Sequence, residues 1–549
     1  MKKLIPAICC ILSFLCTQTK AQIPFNTIDS LVINNINATM GVHGDMWPPD
    51  SAHGGGCLFP NGTRKSLGFA ASLWMSGYDA TSQLHVSAQT YRQTGNDYWP
   101  GPLDASDTLT YATSKKWASI WKIAKTQINF FLGLGTHTTS NTPLSILHWP
   151  GRGNTYAQGN GGASLSITQD MAPFVDLNGN GIYEPLLGEY PDIKGDEALW
   201  CVFSDNGPTH NNTKGKPLGI ETHLLAYEYK RGTLIDDVVY YEYTIFNRSS
   251  NNYYSFRLAQ FADMDLGWYL DDYIGFDSTH SLGITYNATN CDGCDAGNPP
   301  MAYGLDPPMA GITMLSCPGG ISYDDAGSFT YFNNDSSIVG NPTVDTEFNN
   351  YMRSKIRNGE HISDDFAGKG AQSKGYGAGP DINYVFTSDP SNNVGWSECN
   401  ANNTPGDRRF VLATNDYILN AGASLKFVTA LVVADSAGGC PVDSFAGIKT
   451  VADTAWAAYC NSLSVQNTPP NPNTISVYPN PTTNTIQIQT PQFQNTTLEM
   501  YNLLSQKVIT QTLTATTTEI DMSKLCSGIY LLRLTNGTQE IYQTKIVKQ

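Results

Sequence analysis

Along much of the chain apolar residues recur at every second position, the spacing of strands and not of helices. Val239, Tyr241, Tyr243 and Ile245 fall on one face of such a stretch, with Tyr240, Glu242 and Thr244 on the other. This predicts a strand with one face in a core. Asn247-Arg248-Ser249-Ser250-Asn251-Asn252 follows as a turn into a second strand over 253–262. The pair reads as a meander, the unit of a β-sandwich. Strands are also predicted at 84–90, 410–412 and 425–434. Helical spacing predicts three elements. Trp117, Ile120, Trp121, Ala124 and Ile128 mark one over 115–131, and a second is placed near 346–358. Phe445, Ile448, Ala452, Ala455, Trp456 and Tyr459 form the stripe of a third over about 442–459.

The pattern breaks after that helix. Residues 461–473, Asn-Ser-Leu-Ser-Val-Gln-Asn-Thr-Pro-Pro-Asn-Pro-Asn, have little to bury and read as a linker. Short alternating stretches then resume at 475–478, 485–490, 497–501, 506–512, 517–521, 528–535 and 540–547, a spacing that suits a small sandwich. With 549 residues the chain exceeds what one core organises, since single cores stop growing near ~250–300 residues. The expected organisation is a signal peptide over 1–21, a β-rich passenger over 22–460, the linker over 461–473 and a compact domain over 474–549. The passenger is expected to hold two intimately packed units with a break near 170–215. The expected fold class is mainly all-β: a β-sandwich-rich passenger with long loops and a few short helices, plus a small C-terminal Ig-like β-sandwich.

The first residues change the picture from fold to route. Lys2 and Lys3 precede a short apolar run from Leu4 to Cys16, and Thr19-Lys20-Ala21 offers a small-residue cleavage site before Gln22. The run is too short to span a bilayer, and no later stretch reaches ~18 apolar residues. The formal net charge is −16. Loss of residues 1–21 removes Lys2, Lys3 and Lys20 but no acid, leaving −19. Such a chain lacks the basic footprint that nucleic acid requires, and clustered acids of this kind suit divalent cations. Nine cysteines follow the signal: Cys57, Cys201, Cys291, Cys294, Cys317, Cys399, Cys440, Cys460 and Cys526. Cys291 and Cys294 lie in Asn-Cys-Asp-Gly-Cys-Asp. Without a second pair at zinc spacing, a loop-closing disulfide is the better reading. Cys440 and Cys460 flank the third helix and are candidates for another pair.

The strongest local motif is Asp176-Leu177-Asn178-Gly179-Asn180-Gly181-Ile182-Tyr183-Glu184. Oxygen side chains at positions 1, 3 and 5 and glycine at 6 match the first half of an EF-hand calcium loop, with the Ile182 carbonyl at position 7. Position 12 is Leu187, where an EF-hand has a bidentate glutamate, so Glu184, Glu189 or Asp192 has to complete the shell. The other reading is an Asx-rich turn without metal. A second acidic cluster comprises Asp263, Asp265, Asp271, Asp272 and Asp277, either a second calcium site or a solvated loop. The expected ligands are therefore Asp176, Asn178, Asn180, Ile182, Glu184, Asp263, Asp265, Asp271 and Asp272, holding Ca2+ in a structural role. Glu221 and His223 share a strand face, with His210 near in sequence; a hydrogen-bonded histidine is favoured there over a transition-metal site. No Gly-x-Ser-x-Gly, His-Glu-x-x-His, Walker or Rossmann pattern occurs, and no catalytic residue is assigned.

Residues 474–549 resemble the type A C-terminal sorting domain of Bacteroidetes type IX secretion cargo. The likeness rests on Tyr478-Pro479-Asn480-Pro481, Leu498-Glu499-Met500-Tyr501-Asn502, Ile520-Asp521-Met522-Ser523-Lys524-Leu525, Ser527-Gly528-Ile529-Tyr530-Leu531-Leu532-Arg533 and Lys545-Ile546-Val547-Lys548. Cys526 departs from the pattern. The resemblance implies recognition by the type IX machinery, cleavage of the domain, and a passenger released or attached to surface lipopolysaccharide. The passenger itself is similar to a group of large Bacteroidetes surface proteins of unknown activity. That match is carried by Asn96-Asp97-Tyr98-Trp99-Pro100-Gly101-Pro102-Leu103-Asp104, residues 172–199, Pro217-Leu218-Gly219-Ile220-Glu221, Asp263-Met264-Asp265-Leu266-Gly267, Asp271-Asp272-Tyr273-Ile274-Gly275 and Asp407-Arg408-Arg409-Phe410.

The expectation that joins these readings is a secreted or cell-surface protein, calcium-stabilised and non-enzymatic, acting in adhesion, matrix building or glycan contact. The alternative is a secreted hydrolase of polysaccharide or protein with its site in 263–400.

Overall fold

The computed structural model describes residues 25–49, 56–91, 95–316, 326–392, 394–435, 439–441, 444–463, 475–480, 482–490, 493–502, 506–526, 528–536 and 539–548. The signal segment 1–21, Cys317 and linker residues 464–473 lie outside the described residues. The chain divides into two compact units, Met1–Ala455 and Trp456–Gln549, and is mainly β throughout.

The first unit is built on an eleven-stranded and a nine-stranded sheet, with antiparallel pairing between the strands of each. The strands that position the site are, in chain order, β1 (Ala70–Tyr78), β2 (Glu197–Ser204), β3 (Ile220–Glu228), β4 (Val238–Asn247), β5 (Tyr253–Asp263), β6 (Asp272–Asp277), β7 (Arg408–Thr414) and β8 (Ser424–Ala434). In the eleven-stranded sheet β5 lies between β1 and β7. In the other, β4 lies between β3 and β8, with β2 beyond β3. One core cluster joins the sheets, with Leu73, Phe256, Leu258 and Phe410 from one and Phe203, Leu224, Tyr243 and Leu431 from the other. Thr429 of β8 also donates to Gln260 of β5 at 3.2 Å.

The outer faces are covered as well. A short helix (Asp345–Tyr351) brings Phe348 and Tyr351 onto Trp74, Phe261 and Phe332 behind the eleven-stranded sheet. Behind the nine-stranded sheet, the helix Ala446–Leu463 begins with Phe445, Ile448 and Ala452 buried, and the Ala455 carbonyl accepts from Tyr240 at 3.0 Å. Strands covered on both faces are buried at nearly every position, as β2 and β3 are along their whole length.

Three local expectations are corrected. Residues 115–131 are not one helix. Thr110 caps a helix over Tyr111–Trp117, Trp121–Ala124 forms a strand, and a second helix runs over Lys125–Leu132. Pairing of Trp121–Ala124 with β2 outweighs the helical spacing, a tertiary override of local preference. The segment after β4 is not a meander turn: it carries the chain from one sheet to the other, because β4 and β5 belong to different sheets. Cys440 pairs with Cys399 and not with Cys460, which is free. The Cys291–Cys294 bridge is present.

In the second unit the seven predicted strands all form, each within one residue of its expected ends. Ser476–Tyr478, Thr485–Gln489 and Thr517–Asp521 make one sheet, and Thr496–Tyr501, Lys507–Thr512, Gly528–Asn536 and Gln539–Lys548 the other. Their apolar faces meet in a core that includes Ile486, Ile488, Leu498, Met500, Leu532, Leu534 and Ile546.

Candidate metal centre

Asp263 ends β5, opposite Arg409 of β7 in register. The chain then leaves the sheet, Asp265 follows two residues later, and Asp407 precedes β7. Oxygens of Asp263, Asp265 and Asp407 all lie within 4.8 Å of one another, Asp263 fully buried and the other two half-buried. This triad can hold a metal ion. Arg409 is the cation that faces it, pairing with Asp263 Oδ2 at 3.0 Å and with Asp407 Oδ1. Tyr91 donates to Asp263 Oδ2 at 2.5 Å and accepts from Arg409 Nε at 2.8 Å. Asp263 Oδ1 is buried without a partner.

Three carboxylates against one guanidinium leave an excess of negative charge in a poorly hydrated place. Burial pushes the Asp263 carboxyl up to about 6, against the pull of Arg409. Burial raises Asp265 well above the usual carboxylate range too, and the charges of Asp263 and Asp407 raise it further. Without a cation such a group relieves its desolvation by taking a proton.

A second cluster lies just along the chain. Asp271 precedes β6, Asp272 is its first residue, and Asp292 comes from the loop closed by the Cys291–Cys294 bridge. Their oxygens tie the loop backbone together. Asp272 Oδ2 accepts from Leu266 N at 3.2 Å, Asp271 Oδ2 from Gly293 N at 2.9 Å, and Asp292 Oδ1 from Trp268 N at 2.8 Å. Gly267 makes this closeness possible: its φ is +68°, and a Cβ there would overlap the Asp292 carboxylate. Asp271 Oδ1 and Asp272 Oδ1 are buried without partners. Burial and then mutual repulsion raise Asp272, and burial lifts Asp271 to about 6. Asp272 also feels the charge of Asp265, so the clusters form one acidic region. Asp277 is not part of it, being at the far end of β6 with His280 and Lys449.

The 176–184 loop stands apart. Asp176 accepts from the backbone of Gly179, Asn180 and Gly181, and the amides of Asn178 and Asn180 both donate to Glu184 Oε2, at 2.9 and 2.7 Å. Asn180 Oδ1 accepts from Ile182 N. Leu187 is exposed, and the buried carboxylate nearby is Glu189, which accepts from Leu177 N and Glu184 N. Sequence reasoning singled out Asp263, Asp265, Asp271 and Asp272 but missed Asp407 and Asp292. The first lies far along the chain and the second was hidden inside the CxxC motif. Glu221 bonds His223 at 3.0 Å, whereas His210 faces Asp97 at 3.6 Å.

Residues 476–549 match the secretion system C-terminal sorting domain family. They are a secretion-system sorting domain. Its presence implies interaction with the type IX secretion machinery and delivery of the protein to the cell surface or the extracellular space. Among the described residues no helix is long and apolar enough to cross a membrane. No curated protein matches the chain. Among solved structures, a polysaccharide lyase is 8% identical over 60% of this chain and 34% of its own, with a TM-score of 0.18. The match spans about a third of that enzyme's length, and at that score it carries no argument about fold or activity.

Proposed function

We propose that the passenger carried by this sorting domain is a calcium-stabilised, non-catalytic protein of the cell surface or its surroundings, serving adhesion, matrix building or glycan contact. The observation that carries the reading is the acidic region of Asp263, Asp265, Asp407, Asp271, Asp272 and Asp292. Three of its oxygens, Asp263 Oδ1, Asp271 Oδ1 and Asp272 Oδ1, are buried with no hydrogen-bond partner. Unpaired buried carboxylate oxygens are costly, and an all-oxygen set on loop backbone suits a hard cation such as Ca2+. The ligands would be Asp263, Asp265 and Asp407, with Asp271 and Asp272 beside them; Asp176, Asn178, Asn180, the Ile182 carbonyl and Glu184 would form a separate loop site. The hydrolase alternative is disfavoured by the burial of Asp263 and its bonds to Tyr91 and Arg409, which leave it poorly placed to meet a substrate.

The test is elemental analysis of the full-length protein followed by thermal melting with and without EDTA. Bound calcium together with a melting temperature lowered by a few degrees on chelation is the expected result. A cation present at about a hundred times its Kd contributes about 2.7 kcal/mol. An unchanged melt would sink the calcium reading.

A further inference from the structure

We propose that a second place in the first unit, built on segments other than those of the acidic region, binds an uncharged saccharide unit of a glycan. It is a cavity of about 500 Å3 whose walls include Asp104, Thr113, Trp117, Thr168, Gln169 and Arg248. That volume lies within the ~300–1,000 Å3 of small-molecule sites.

The cavity is organised by a residue beneath it. Glu221 of β3 is fully buried. Its Oε2 accepts from Leu103 N at 3.0 Å and Gln169 Nε2 at 3.4 Å. Its Oε1 accepts from Arg248 Nη2 at 2.8 Å and bonds His223 Nε2 at 3.0 Å. Leu103, Gln169 and Arg248, three wall residues from three separate segments, are thus held by one carboxylate. Arg248 is fixed further by its guanidinium lying 4.5 Å from the centre of the Phe246 ring. A buried carboxylate is expensive to desolvate, and here its bonds pre-position recognition groups, the arrangement a binding site requires.

The chemistry of the walls selects the ligand class. Glu221 neutralises Arg248, while Asp104 and Asp107 make the lining net negative, so phosphates and uronates are repelled. Gln169, Arg248 and Thr113 keep hydrogen-bonding capacity beyond the bonds they already make to Glu221 and Thr110, and a purely apolar ligand would bury that capacity unmet. Sugar hydroxyls donate and accept. They satisfy carboxylates, amide, hydroxyls and guanidinium together, while Trp117, Ile167 and Met171 meet the apolar faces of the ring.

The proposal rests on the glycan-contact part of the function proposed above, but its test is separable from the calcium one. The full-length protein is titrated calorimetrically with uncharged malto-, cello-, xylo- and chito-oligosaccharides and with oligogalacturonides as the charged control. One uncharged series is expected to bind with Kd below about 1 mM. Gln169→Ala, Thr168→Val and Arg248→Gln should each weaken it, Arg248→Gln by about tenfold, the equivalent of about 1.4 kcal/mol. No uncharged binder at millimolar concentration, preference for the oligogalacturonide, or unchanged affinity in both Gln169→Ala and Arg248→Gln overturns the proposal. Sugar binding with a melt indifferent to EDTA would leave this site standing and remove the calcium. A melt lowered by EDTA without sugar binding would do the reverse.

Discussion

Two ways of burying a strand coexist in this chain. In the sorting domain the strands bury alternate residues: Ile486 and Ile488 point inward while Thr485, Gln487 and Gln489 stay partly exposed, and Thr517–Asp521 alternates in the same way. In the first unit β2, β3 and most of β4 and β5 are buried continuously, acids and histidine included. A two-layer sandwich leaves its polar residues in water, where they need no partners. Sheets covered on both faces force Glu221, Glu242 and Asp263 inside, and each must be answered by a cation, a hydrogen bond or a metal. Glu242 is answered by Lys194 and Lys426 and Asp263 only in part by Arg409. The comparison shows where to look for function: at polar residues on strands that have no wet face.

The contrast predicts measurable differences, the greatest of them at the acidic triad. Arg409→Leu removes the guanidinium from the acidic triad and should destabilise the first unit by about 3–5 kcal/mol in urea unfolding. The loss should be smaller when calcium is present. A loss below about 1 kcal/mol would mean the triad is protonated or wet. Leu532→Ala opens the sorting-domain core, with an expected cost of about 3 kcal/mol. Because a small domain has little stability to spare, export of the protein by its host should fall with it.

A third experiment varies pH. Burial raises the folded-state carboxyls of Asp263 and Asp271 to about 6, above the unfolded value near ~3.9. The stability they allow as neutral acids is therefore full below the unfolded value and lost as pH rises through about 6. Cation binding competes with those protons, so the calcium-dependent rise in Tm should grow between pH 5 and pH 7. A rise independent of pH would place the ion elsewhere. The smallest effect belongs to the wet surface of the sorting domain, where Lys507→Met removes the exposed pair with Glu499 and should leave its unfolding midpoint unchanged.

The same contrast explains what was legible in the sequence. All seven sorting-domain strands were, because alternation survives where one face stays wet. In the first unit β4 and β8 were legible, but their sheet partners were not. Periodicity says that Val239 and Tyr241 share a face, and nothing in it says that β5 crosses to the other sheet. Residues 115–131 misled for a related reason: Trp121 and Ala124 satisfy helical spacing, yet they lie in a strand paired with β2 that buries Trp121 and Ile123 as alternate residues. Four of the six acids of the acidic region were readable because Asp263 and Asp265, and then Asp271 and Asp272, are close in sequence. Asp407 joins through strand register, and Asp292 through a disulfide-closed turn, neither of which leaves a local mark.

The position of β5 has a kinetic side. This central strand pairs with β1 from early in the chain and with β7 from late in it, while its neighbour in sequence, β4, joins the opposite sheet. Few of its contacts are local, so the loop entropy of closing both long segments falls before the reward of pairing. Assembly of the eleven-stranded sheet is therefore expected to be slow, in the range of milliseconds to seconds typical of high contact order. The acidic triad, split between the end of β5 and the approach to β7, comes together only as that sheet closes. A cation that binds there would act as a latch on that seam, tying the end of β5 to the approach to β7 once the two strands have met.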